Sequence, residues 1–385
     1  MGALMTIKTI QITTQVDVLH GGIDLIDDLA LEWRSLCELC GDAEPFVRPE
    51  FIRSYLIAFE AGCRLMIVTA RVEGKLTALL PLIAEKVSFG GLPVRKLRGA
   101  AGIHSARFDL VCAPGQPGEK ALNAIWQTLE EMRDWDMIEL PLITAPAVAR
   151  KMVAIAESRG FSTGWWDAFP GPYVTIGDED PKTEPWLQAT SASFRQKVRR
   201  MRRKAESEGE LELKSYSSPD AEVLERFYEL ENSGWKGKDG TAIVCDPSTR
   251  LFYDELSRGA GEHGYFRCYF LTLKDKLVAG FLGLADGKRF FMLKPAYNEE
   301  FAQYSPGHLM AASVLQDCAE NGLKEFDFMP PALRWKTDWS SSVHPSGYGY
   351  IFRKSLYGKM LWNVKFRLRP WVRQKAQAFK RKPAA

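Results

Sequence analysis

Three short stretches combine residue types that can do chemistry. Gln303-Tyr304-Ser305-Pro306-Gly307-His308 leads from a loop into a helix. Proline suits the first helical turn, where its missing N–H is not needed. A helix N-terminus offers free N–H groups and a partial positive charge, which suit a pyrophosphate. Tyr304, Ser305, Pro306, Gly307 and His308 are therefore candidates for cradling a phosphorylated ligand. A plain helix start reads the same way locally. The second stretch, Gly234-Trp235-Lys236-Gly237-Lys238-Asp239-Gly240, places three glycines among seven residues after a helix, which predicts a flexible loop. Trp235 can stack on a sugar or an acyl chain, and Lys236 or Lys238 can neutralise an anion. A helix stop with Trp235 as a hydrophobic lid is the plainer alternative.

The third candidate is Asp327, set in the apolar strand Phe326-Asp327-Phe328-Met329. Alternation puts it on the face opposite both phenylalanines. A carboxylate held there can have a raised pKa and act as a base toward an amine or hydroxyl, or it can be a structural acceptor. Glu231, just ahead of the glycine-rich loop, is a rival base. Tyr297 and Tyr304 can protonate a leaving group. No Ser-His-Asp spacing is evident, the five histidines lie far apart, and no metal site is expected. That favours direct transfer between two bound substrates over a covalent enzyme. The seven cysteines are an odd, scattered set. They read as buried free thiols of a reducing compartment, the Cys37-Glu38-Leu39-Cys40 pair included.

Two basic runs stand out. Arg195–Lys204 has helical spacing with Phe194, Val198 and Met201 on one stripe, and reads as a solvated interdomain helix. Nucleic acid or an anionic lipid is the functional alternative, with nucleic acid not the expected partner. From Lys354 to Ala385 there are ten Lys/Arg and no Asp/Glu, so the rest of the +3 chain, 41 basic against 48 acidic residues, carries −7. Tyr357, Trp362, Phe366, Trp371 and Phe379 interleave with these bases. The segment is expected either to touch an anionic membrane surface peripherally or to pack on the protein.

The elements that must position these residues form a weak internal repeat. The first half reads as a strand at Ile7–Thr13, helices at Ile23–Leu39 and Pro49–Glu60, and strands at Arg64–Val72, Lys75–Phe89 and Pro93–Arg98. A Gly/Pro-rich loop, a helix to Met132, a strand at Asp136–Leu142 and a helix at Ala147–Arg159 follow. The second half repeats the order. It has a strand at Leu211–Tyr216, helices at Ala221–Gly234 and Ser248–Gly261, and strands at Tyr265–Leu273, Lys276–Ala285 and Arg289–Pro295. Then come a helix from Pro306 to Asn321, a strand at Lys324–Met329 and a last strand at Tyr348–Lys354. The pattern predicts an α/β (α+β) fold of two tandem halves, each a mixed sheet flanked by helices. The expected divisions are residues 1–180, 190–355 and a tail at 356–385.

Taken together, Phe194-Arg195-Gln196-Lys197-Val198-Arg199-Arg200, the run Glu231–Ile243, Tyr304-Ser305-Pro306-Gly307, Phe326-Asp327-Phe328, Arg334-Trp335-Lys336 and Trp339 resemble a known family. About 150 residues are similar to the BioF-like acetyltransferase domain of the GNAT superfamily, grouped with CelD-type acetyltransferases of cellulose biosynthesis. The likeness extends distantly to Fem-type aminoacyltransferases. The resemblance implies acetyl-CoA or another acyl-CoA as co-substrate, no metal, and transfer to an amine or hydroxyl of a sugar, lipid or polysaccharide precursor. It implies a substrate cleft using Trp235, Lys236, Lys238, Lys336 and Trp339, with Asp327 in the same cleft and Tyr297 or Tyr304 facing a leaving thiolate. One departure is plain: GNAT enzymes carry a glutamine/arginine- and glycine-rich loop before the central helix, and here that loop holds a single glycine. A non-catalytic accessory of an envelope-polysaccharide machine and an aminoacyl-tRNA-dependent transferase are the alternative readings.

With 385 residues, 46% hydrophobic and 26% charged, the chain can bury two cores of ordinary size. It has neither a secretory-type start nor an apolar run of about eighteen residues. A cytoplasmic protein, peripheral at the inner membrane if its tail binds lipid, is the expectation; the composition leaves oligomeric state open.

Overall fold

In the computed structural model, residues 14–368 are described. The strand expected at Ile7–Thr13 and the tail aromatics Trp371 and Phe379 lie outside them. The chain runs β1 (Thr14–Gly21), α1 (Asp24–Cys40), α2 (Pro49–Phe59), β2 (Leu65–Val72), β3 (Lys75–Phe89), β4 (Leu92–Gly99), β5 (Val111–Cys112), α3 (Gly115–Glu131), β6 (Met137–Thr144), α4 (Val148–Ser158), β7 (Ser162–Asp167) and β8 (Gly171–Thr175). It continues with α5 (Pro185–Gln188), α6 (Ala192–Glu206), β9 (Leu211–Tyr216), α7 (Ala221–Ser233), α8 (Trp235–Lys238), α9 (Pro247–Glu262), β10 (Phe266–Leu273), β11 (Lys276–Ala285) and β12 (Arg289–Tyr297). The last elements are α10 (Pro306–Glu320), β13 (Glu325–Asp327), α11 (Arg334–Thr337), β14 (Val343–His344), β15 (Ser346–Phe352) and α12 (Leu356–Asn363).

Two mixed sheets result, each flanked by helices. One is ordered β1-β2-β3-β4-β6-β15-β7, with β5 beside β3; the other is ordered β14-β8-β13-β12-β11-β10-β9. In each, an antiparallel meander hands over to a parallel pair, β4 with β6 and β12 with β13, through a crossover helix. That is the repeat expected from sequence.

The halves also exchange strands. β15, expected to close the second half, pairs with β6 and β7 of the first sheet. β8, on the first-half side of the linker, pairs with β13 of the second. Sheet membership therefore does not divide at residues 180–190. One apolar core lies between the sheets, with Phe51 of α2 against Phe252 of α9 at 5.6 Å. Separate cores fill the outer faces under α3 and α4, and under α6 and α10. On α6, Phe194, Val198 and Met201 are buried and the bases face outward, as the spacing predicts.

The start of the basic tail packs on the protein. Tyr357 Oη donates to the Pro93 carbonyl, Trp362 Nε1 to Thr163 O (2.7 Å), and the Phe366 ring lies against Trp166, Tyr350 and Phe352. These three aromatics are taken by the first sheet, so within the described residues they are not free to enter a lipid surface. Among the described residues, no helix is long and apolar enough to cross a membrane.

Candidate active site

The second sheet opens a gap because β13 is short. It pairs with β12 only from Arg289 to Phe291. Beyond Asp327 the backbone turns away, Met329 adopting φ 56° and Pro330-Pro331 following in cis. β12 runs on to Tyr297 without that neighbour. It carries an extra residue at Leu293, since Leu282 and Gly283 face Lys294 and Met292; such a bulge re-aims side chains. A cavity of about 510 Å³ fills the gap. Glu231, Trp235 and Lys236 line it from α7 and α8, Ser305, Pro306, Gly307 and His308 from the start of α10, and Trp335 and Lys336 from α11. α7 is buried in the core between the sheets and α10 in the outer one, so the cavity passes from one face of the sheet toward the other. In the first half, the corresponding space beside β4 is filled by its own loop. The Phe108 ring sits where a Cβ on Gly99 would be, 2.7 Å away, and its N–H bonds Leu142 O.

The polar groups of the cavity are sharply placed. Glu231 has a fully buried side chain. One of its oxygens accepts from Lys236 Nζ (2.6 Å) and the other from the Ile243 N–H (2.8 Å). Lys236 also donates to Pro295 O at 2.7 Å. Lys336, 5% exposed, donates to Phe328 O and Met329 O, each at 2.8 Å. An ammonium has three donors, so one N–H is left without a partner among the described residues. Burial, helped by the nearby Lys236 charge and opposed by Asp327, lowers the Lys336 pKa to about 8.

At the head of α10, Ser305 takes φ 55° and caps nothing with its side chain. The His308 and Leu309 amides fold back on Ser305 O, and Pro306 has no N–H. The Gly307 N–H is left without a partner among the described residues. A Cβ at Gly307 would meet nothing within 4 Å, so the backbone there is open to a ligand. His308 is 9% exposed, and its Nδ1 is buried without a hydrogen bond. Burial, with Lys197 nearby, pushes the imidazole down to about 4, so it is neutral at pH 7.

Several expected site residues are not here. Asp327 is fully buried and outside the cavity, paired with Arg107 and accepting from Met329 N at 2.7 Å. Of the three residues expected in one cleft, Trp235 and Lys236 line it and Asp327 does not. It sits in the middle of a sheet, where its charge needs a counter-charge rather than a substrate. Burial raises its pKa, against Arg107 and His344. Glu325, Asp327 and His344 lie close enough to share a cation; of the three, Asp327 pairs with the Arg107 guanidinium, and Glu325 shares a hydrogen bond with His344 whose direction is set by the imidazole tautomer. Lys238 is exposed and paired with Glu299. Trp339 is buried against Phe194 and His308, with ring centroids 5.1 and 6.0 Å away. Tyr304 is buried in the core under α10, beneath Lys204. Only Tyr297 of the two tyrosines lines the cavity. The glycine-rich stretch is not a flexible loop but the helical turn α8. There Gly237 lets the turn close on α7, since a Cβ would come within 1.8 Å of Asn232 O.

A smaller hollow of about 230 Å³ lies between the halves. Its two guanidinium groups, Arg107 and Arg289, are already paired with carboxylates.

Residues 192–337 match the family model described as acetyltransferase (GNAT) domain. The fold as a whole is similar to that of FemX, with TM-score 0.59 and 13% identity over 90% of this chain and 100% of that one. It is also similar to the C-terminal DUF2156 domain of a putative lysylphosphatidylglycerol synthetase from Agrobacterium fabrum, with TM-score 0.53 and 11% identity over 88% and 96%. At these identities the likeness speaks for the fold. No curated protein matches the chain by sequence.

Proposed function

We propose that the chain is an acyltransferase whose second half moves an acyl group from an acyl-CoA thioester to an amine or hydroxyl of a sugar, lipid or polysaccharide precursor. One observation carries this reading: a single cavity joins an open helix start at Gly307 to a buried ammonium, Lys336, and the ion pair of buried Glu231 with half-buried Lys236. The head of α10 would take the donor's pyrophosphate on the Gly307 N–H, with His308 beside it. The free N–H of Lys336 would bond the thioester carbonyl oxygen, where negative charge develops as the acceptor adds. Each oxygen of Glu231 keeps a second lone pair, so it can receive the acceptor's proton while still paired. The C–S bond then breaks, and Tyr297 at the cavity wall can protonate the departing thiolate. Trp235, 47% exposed at the cavity, offers a face for a sugar or an acyl chain.

The donor site is tested at Gly307. Gly307→Val should change thermal stability little, because a Cβ there meets nothing within 4 Å. It should weaken acyl-CoA binding by calorimetry about 10- to 100-fold, the worth of a hydrogen bond to a charged group. Equal affinity in both proteins would remove the donor from α10. Thiol release from the thioester on adding acceptor separates an enzyme from a non-catalytic accessory.

Activity should also depend on pH through Lys336. Its lowered pKa keeps it charged below about 8, so kcat should hold on the acid side and fall as pH rises through that value. The acceptor chosen should not itself titrate there. A profile flat to pH 10 would mean that the Lys336 ammonium does not take part.

One observation favours a second donor. Lys197, Arg200 and Lys204 of α6 carry no acidic partner in the described residues, and Lys204 lies over Tyr304, beside the start of α10. That stripe suits the phosphates of an aminoacyl-tRNA end as well as those of CoA. Salt-dependent retention of tRNA, absent for CoA, would favour it.

A further inference from the structure

Buried ion pairs seldom repay their desolvation in stability; what they can provide is a single geometry. The pair between Arg107 and Asp327 crosses from the first half to the second. Arg107 is 5% exposed, its other arm binds Glu44, and its guanidinium lies over the Phe46 and Phe291 rings at 5.8 and 5.4 Å. Two carboxylates and two aromatic rings hold it. Asp327 passes this constraint on. Its second oxygen accepts from the Met329 N–H at 2.7 Å, fixing the turn that ends β13. Among the described residues, the cross-strand anchor of that turn beyond Asp327 is Phe328 N to Pro172 O, 2.9 Å. The carbonyls of Phe328 and Met329 point at Lys336 Nζ, both at 2.8 Å.

We infer that Arg107 is a positioning residue for the cavity of the other half: it fixes Asp327, Asp327 fixes the turn at Met329, and the turn's carbonyls fix the Lys336 ammonium. The inference rests on the proposed role of Lys336, but its physical content can be measured without turnover. The charged and titratable groups around Lys336 are Asp327 on β13 and Lys236 on α8, with Glu231 on α7 and His308 on α10 lining the same cavity and Asp338, after α11, facing His308. Of these, Asp327 holds the Lys336 pKa up and Lys236 pushes it down. Asp327→Asn removes the supporting charge, so the Lys336 pKa must fall. Arg107→Met leaves Asp327 buried without its main counter-charge. The carboxyl then takes up a proton, and support for Lys336 is lost by a different route to the same end.

The experiment is an NMR titration of the Lys336 side chain in the full chain, labelled at lysine. Arg107→Met and Asp327→Asn should each lower its pKa by about one unit. The double variant should go no further, and Arg107→Lys should return most of the shift. In acyl transfer, Arg107→Met should lower kcat by about 10- to 100-fold with KM little changed, as expected for a misplaced reacting group. An unchanged Lys336 pKa in folded Arg107→Met, or additive shifts in the double variant, would overturn the inference. Should Arg107→Met not fold, Asp327→Asn and Arg107→Lys still decide it, because a clear shift in the first and a much smaller one in the second are required. If the chain transfers no acyl group at all, the titration still stands or fails by itself, and only the proposed function is lost.

Discussion

Replacing Lys336 by methionine is expected to lower kcat for acyl transfer by about 10²–10³-fold, the usual cost of removing one donor to a developing oxyanion. Methionine is close in length and apolar, so the cavity should keep its shape while losing the charge. Phe328 O and Met329 O, on buried residues, lose a donor, so a loss of about 1–3 kcal/mol in stability is expected beside the loss of activity. Acyl-CoA affinity should change little, since the phosphates would be held at α10, on a separate element. Steady-state thiol release and calorimetry on the same preparation check both halves of this expectation. Arginine should not rescue, because its planar fork cannot occupy the site of a compact ammonium. A methionine variant within about threefold of wild type in kcat would take Lys336 out of the chemistry.

The largest effect on stability is expected at Asp327. Asp327→Ala should cost about 3–5 kcal/mol, the range for removing one partner of a buried ion pair. Three things are lost together: the partner of a 5%-exposed guanidinium, the acceptor for Met329 N, and the second carboxylate beside His344, 3.6 Å away. Glu44 still binds Arg107, which keeps the loss from being larger. Urea unfolding, with midpoint and slope compared, gives the number. A loss under about 1 kcal/mol would mean that water reaches Arg107 when the carboxylate is gone, and that the pair is not structurally isolated.

Local patterns fixed much of what sequence reading expected. Lys75–Phe89, Leu211–Tyr216 and Lys276–Ala285 appear as strands with the expected bounds, because alternation and hairpin turns are properties of neighbours in the chain. The same holds for the start of α10 at Pro306, and for the buried stripe of α6. The likeness of the two meanders was legible too, since each is built from consecutive segments. Even part of the cavity could be assembled in advance: Glu231, Trp235, Lys236, Tyr297, Ser305 to His308 and Lys336 do meet.

What sequence could not decide is which of the remaining polar residues face that cavity. Alternation puts Asp327 on the face opposite Phe326 and Phe328, and the structure has it there. Only the tertiary fold shows that this face meets the other half of the protein, where Arg107, 220 positions away, neutralises it. No local signal marks Arg107, because its partner is brought to it by the packing of two sheets. The exchange of β8 and β15 was hidden for the same reason: a strand's own residues specify that it pairs, while its neighbour is chosen by which sheet edge the rest of the chain leaves open. Tyr304, Trp339 and Lys238 illustrate the converse. Their types suit a ligand, but two are used by the core under α10 and one by Glu299 at the surface. A residue's type and spacing set what it can do; the packing of the two halves decides which residues are left free to do it.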